Sequence, residues 1–190
     1  MLRYANPLVK VTIVPRGKAL GAAWYLPEER QITTTEALQD QLCALLGGRA
    51  AEDLFLGRVS TGAANDLERV TKLAYAMVTY YGMSDKLPNI NYYEMQNDGW
   101  NLTKPYSDTT AEVIDAEVNR IISEQYERAK SILREHEAGH HELADLLLKR
   151  EVILADDVER IFGKRPWASR TEELLGLNAP ATATEETTAD

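Results

Sequence analysis

The chain has 190 residues, 44% of them hydrophobic and 27% charged, and a net charge of −9. That is about one globular domain with a short appendage; it excludes wholesale disorder, collagen-like repeats and, through its acidity, a general nucleic-acid binder. The longest apolar runs, such as Leu146–Leu148, are too short to cross a bilayer, no signal peptide is legible, and the single Cys43 can form no internal disulfide, which fits a reducing compartment.

Residues 6–14 alternate apolar and polar positions. The pattern predicts a half-buried strand with Val9, Val11 and Ile13 on one face and Lys10 and Thr12 on the other. A second extended piece is expected at Ala22–Leu26, with the Arg16-Gly17-Lys18 turn between them making a ribbon. From Thr33 the period changes to a helical one. Thr34 or Thr35 can cap a helix with Glu36 in its first turn, and Leu38, Leu42, Leu45 and Leu46 fall on one face. Gly47-Gly48 interrupts that face, and Ala50, Ala51, Leu54 and Phe55 resume it before Gly57.

Ser60-Thr61-Gly62 reads as a new helix start, with Leu67, Val70, Leu73, Ala74, Met77 and Val78 facing inward and Gly82 as a stop. Residues 83–106 read as a loop with a short strand at Ile90–Tyr93. Ser107 can cap a long helix whose apolar seam runs from Val113 to Leu133 and on to Leu147, with a break near Gly139. Asp156-Asp157 starts a short helix through Phe162, and residues 171–190 form an acidic tail too poor in apolar bulk to fold. The expected fold class is mainly α: one domain over 1–170, with a small β-ribbon over 8–26 and a helical array over 34–165.

His136-Glu137-Ala138-Gly139-His140 matches the HExxH pattern, in which two histidines one helical turn apart reach one zinc and the glutamate activates a bound water. The context reads differently. Ile122, Tyr126, Ala129, Leu133, His136, His140, Leu143 and Leu147 follow one another in steps of four and three, so both histidines continue a packing seam. A seam role is the expectation. The other reading is a rewired zinc site at His136 and His140 with one carboxylate.

Several stretches together resemble the protease domain of the FtsH-type, membrane-anchored, ATP-dependent zinc metalloproteases. They are Lys10–Gly21, Leu46–Glu52 (Leu-Gly-Gly-Arg-Ala-Ala-Glu), Ser60–Leu67 (Ser-Thr-Gly-Ala-Ala-Asn-Asp-Leu), Lys104–Ser107, Glu151–Ile153 and Gly163–Trp167. The resemblance covers residues 5–170 in the family's order. It implies an FtsH protease-domain-like fold and a zinc endopeptidase that degrades membrane and cytoplasmic proteins. It implies a homo-hexamer at the cytoplasmic face of a membrane. ATP enters only through a separate ATPase module; no Gly-x-x-x-x-Gly-Lys-Ser/Thr loop occurs in these residues.

By the same resemblance the zinc-binding HExGH helix precedes the match to Asn6-Pro7. The two histidine ligands and the base glutamate are then expected before Met1, and the isolated chain is expected to be inactive. Asp66 matches the family's third zinc ligand. From the residues alone, Asp66 is equally a helix-start acid, favoured there by the helix dipole. Glu52 matches a carboxylate near the metal that can orient a ligand histidine, or is an exposed helical glutamate. Val11, Thr12 and Ile13 can bind substrate if their strand lies at a sheet edge, where an extended peptide adds as a further strand; otherwise they only close the fold. A non-catalytic oligomerisation or adaptor lobe is the remaining alternative.

Overall fold

The computed structural model describes residues 1–15, 17, 20–28, 32–92 and 106–167. The tail expected over 171–190 and most of the connection over 83–106 lie outside those residues. The described chain is mainly helical, in two units: Met1–Ala5 with Gln31–His141, and Asn6–Arg30 with Glu142–Asp190. Among the described residues no helix is long and apolar enough to cross a membrane.

In the first unit Thr34 caps α1 (Thr35–Ala51), its hydroxyl accepting the Ala37 amide at 3.4 Å. α1 runs unbroken through Gly47 and Gly48, and a methyl group built on either would meet nothing within 4 Å. The expected interruption is therefore absent, and neither glycine serves a close approach. One π-helical turn (Glu52–Leu56) follows and ends at Gly57. Ser60 caps a single 3-10 turn (Thr61–Ala63), which leads into α2 (Ala64–Thr79). After α2 the chain reverses at Gly82, where φ is +61° and an added Cβ would lie 3.0 Å from the Asn89 nitrogen; only glycine fits without strain. Met83 bridges to Pro88, and residues 90–92 form no strand, while Tyr93 lies outside the described residues. Ser107 caps α3 (Asp108–Glu135) through the Thr110 amide.

Three apolar stripes close on one core: Leu38, Leu42 and Leu46 of α1, Val70, Ala74, Met77 and Val78 of α2, and Ile114, Val118 and Ile121 of α3. Each large aliphatic chain so buried contributes about 2 kcal/mol. A second cluster joins α1 and α3 through Cys43, Ala50 and Ala129, with Leu2 and Tyr126 packed against it. Two buried carboxylates hold the ends of these elements. Asp40 accepts the Arg128 guanidinium at 2.6 Å and the Tyr4 amide at 2.8 Å, fixing the N-terminal segment. Glu117, 1% exposed, accepts the Ser84 hydroxyl at 2.8 Å and Arg120 at 3.0 Å, with Lys86 at 3.4 Å.

In the second unit β1 (Leu8–Thr12) lies between β2 (Ala22–Tyr25) and β3 (Val152–Leu154), antiparallel to both. The expected ribbon is thus a three-stranded sheet, completed by a strand that three residues are too few to announce by periodicity. The expected division of β1 into two faces is met only in part: Val11 is partly buried and pairs with the fully buried Ile153. Thr12 is 6% exposed, whereas Val9 is 47% and Ile13 39% exposed. The register shifts between Leu8 and Lys10, which breaks the alternation. Thr12 is tolerated inside because its hydroxyl donates to the Glu151 carbonyl at 2.9 Å and accepts the Val14 amide at 3.1 Å. Glu151, at φ +60°, turns the chain from α4 (Glu137–Arg150) into β3. α5 (Ala155–Phe162) packs on β1 and β3, and Arg150 pairs with Asp157 at 2.8 Å.

Glu117 gives a direct test of this packing. The Arg120 guanidinium, with Ser84, holds its carboxyl down at about 2, against an ordinary 4.5. A depressed native pKa adds stability that is full above pH 4.5 and is lost as pH falls toward 2. Glu117→Gln is expected to lose about 2 kcal/mol at pH 7 in urea unfolding. The gap to the unaltered chain is expected to close between pH 4.5 and 2.

Candidate metal centre

Asp66 is the third residue of α2 and so lies in its first turn. The amides of that turn have no intrahelical acceptor, which leaves partial positive charge beside the carboxylate. The side chain is 44% exposed and its ion pair with Arg69 is long, 3.9 Å. An open, weakly paired carboxylate is a suitable hard ligand for a cation.

Glu52 opens the π-helical turn, directly after α1. Its carboxylate accepts the Ser60 amide at 3.0 Å and the Ser60 hydroxyl by a short bond, with Arg49 at 3.8 Å. The Ser60 bonds hold its carboxyl below the usual range. Its side chain is 22% exposed and bonded to Ser60. Its neighbour Asp53 ties the same turn to α3, accepting the Tyr126 hydroxyl at 2.9 Å and pairing with Lys130 at 3.0 Å. Asp66 and Glu52 thus belong to one unit, and Glu52 bonds Ser60 in the turn that leads into the helix of Asp66. Sequence reading took Ser60 only as part of a helix start; the legible signal is a serine two residues before a glycine, whose amide it accepts at 3.1 Å.

Val11, Thr12 and Ile13 lie in the other unit. The edge position expected for their strand is a misreading: β1 is central, with Val11 paired to Ala23 on one side and Ile153 on the other. Both hydrogen-bonding edges are used, so no peptide can add to β1 while β2 and β3 are in place.

The HExxH residues do not share one helix. α3 ends at Glu135, His136 sits at its C-cap with φ −111°, and α4 begins at Glu137. The break falls at His136 and not near Gly139. His140 stacks on Phe55, ring centroids 4.6 Å apart and 17° from parallel, with His141 edge-on. Its Nδ1 is buried without a hydrogen-bond partner. Among the described residues no three His, Cys, Asp or Glu side chains cluster as a metal site.

Burial, with His141 beside it, pushes the His140 imidazole below its ordinary pKa of 6.5. The unfolded chain therefore takes up a proton first as pH falls. His140 costs no such penalty above pH 6.5 and destabilises progressively below it. His140→Phe is expected to retain the stack, remove the orphaned nitrogen and raise the unfolding midpoint. The gain over the unaltered chain is expected to grow as pH falls from 7 to 5, followed by circular dichroism.

The family model for peptidase family M41 matches residues 1–161. The chain is 66% identical over its whole length to the ATP-dependent zinc metalloprotease FtsH of Parabacteroides distasonis, of which it covers 28%. It is 48% identical over 169 residues to the mitochondrial ATP-dependent zinc metalloprotease FTSH 3 of Arabidopsis thaliana, covering 88% of this chain and 21% of that protein. It is 43% identical over 170 residues to the mouse mitochondrial inner membrane m-AAA protease component AFG3L2, covering 90% of this chain and 21% of that protein. The chain thus spans between a fifth and a third of the length of these relatives. With a mainly helical fold, a small sheet and a match over most of its residues, the chain belongs to peptidase family M41.

Proposed function

We propose that this chain is the peptidase lobe of an ATP-dependent zinc metalloendopeptidase and that Asp66 is one of its zinc ligands. The observation that carries the reading is the Asp66 carboxylate: first turn of a helix, half exposed, and paired with Arg69 at a long 3.9 Å. Zinc, when bound, supplies a polarised water for attack on a peptide carbonyl. Asp66 contributes one anionic oxygen to the metal. The two histidines and the base glutamate come from a helix that the resemblance places ahead of β1; the lack of a third ligand beside His136 and His140 among the described residues supports this. The isolated chain is therefore inactive as a peptidase.

ATP acts through a separate module, and the substrates are unfolded or membrane proteins delivered to a hexamer beside a membrane. Of Val11, Thr12 and Ile13, Ile13 is exposed and open to a side-chain contact with such a substrate, while Thr12 is buried.

The test joins this chain to the preceding segment of the Parabacteroides distasonis relative and measures zinc by elemental analysis after dialysis against a weak chelator. Near one zinc per chain is expected, falling at least tenfold in Asp66→Ala and unchanged when His136 and His140 are both replaced by Ala. Full zinc in Asp66→Ala would overturn the assignment.

A further inference from the structure

We propose that Glu52 is a positioning residue for Asp66, acting through Ser60 on the turn that begins α2. The inference rests on the reading of Asp66 as a ligand. It differs from the role that resemblance suggests, the orienting of a histidine.

Glu52 has a rigid base. Its backbone amide donates to the carbonyls of Gly48 and Arg49 at the end of α1, and α1 is anchored by the fully buried Leu42 and Ala50. From that base the carboxylate takes both donors of Ser60, the amide on Oε2 and the hydroxyl on Oε1. The Ser60 Oγ then accepts the Gly62 amide, and the Ala64 amide closes the 3-10 turn on the Thr61 carbonyl. Two residues further on is Asp66.

Within the turn Ala63 is buried, but the loop that leads into it is not. Residues 56–60 are exposed throughout, so the loop entering the turn is not held by burial. Gly62 completes the arrangement. A Cβ there would lie 3.3 Å from the Ser60 Oγ and 4.0 Å from the Glu52 Oε1, crowding the bonds that fix the turn. The long Arg69 contact cannot set where the Asp66 carboxylate sits, so its place is inherited from the backbone of the first turn.

Amide hydrogen exchange and N–H residual dipolar couplings of the full 190-residue chain test the latch. Ser60→Ala and Glu52→Gln are both expected to accelerate exchange over Gly62–Asp66 at least fivefold and to shift the couplings of those amides. Val70–Val78 is expected to stay within twofold. Ser60→Thr, which keeps the hydroxyl, is expected to behave as the unaltered chain. Unchanged rates over Gly62–Asp66 in Ser60→Ala overturn the proposal. So does equal acceleration along all of α2, which is a general loss of stability. Asp66→Asn is expected to leave the exchange pattern as it was. The latch is thus judged by exchange and the ligand by zinc content, and failure of one is distinguishable from failure of the other.

Discussion

Burial of three apolar stripes in one core is the constraint on which the first unit depends. Leu42, Met77 and Ile114 come from three different helices and each is almost wholly removed from water. Once they meet, the rotation of α2 about its axis is set, because Val70, Ala74, Met77 and Val78 must all face inward. Asp66 lies four residues before Val70, yet its own side chain is turned half to solvent. Asp66 therefore continues the line of the stripe beyond its buried part, at the open first turn of the helix. Packing fixes direction, while short polar bonds at the helix start fix the last degree of placement.

Those polar bonds share a logic. Asp40, Glu52, Asp53 and Glu117 each accept donors from an element other than their own, and each sits where a helix meets a loop or a second helix. A carboxylate can take several donors at once, so one side chain satisfies a segment end that backbone pairing cannot. The same economy explains a buried Glu117 in a core otherwise built from aliphatic chains.

The helices of the first unit were legible because their signals are local. Thr34, Ser60 and Ser107 cap where their hydroxyls precede an apolar stripe, and all three accept the amide that capping requires. The Leu38–Leu46 and Val70–Val78 stripes likewise follow from spacing alone. The misreadings have non-local causes. β3 is three residues long and its meaning lies in its pairing with β1, near the other end of the chain. Pairing on that side makes β1 central, and the Glu151 carbonyl gives the buried Thr12 hydroxyl its acceptor. Gly47-Gly48 looked like a break, but tertiary packing of α1 overrides the weak helix propensity of glycine. Asp66 stood out only through resemblance, since an acid in a first turn is common; the Glu52–Ser60 bonds required coordinates.

The sheet carries a consequence for the order of assembly. β1 and β2 are a local hairpin, but the strand on the other side of β1 arrives with Val152. At ribosomal speeds of about 5–20 residues per second, roughly 7 to 28 seconds separate emergence of the two partners. During that interval α1, α2 and α3 can bury their shared core, while β1 keeps an unpaired edge. A nascent chain of this kind presents a sticky strand late in synthesis, and the final few residues of β3 act as its cover.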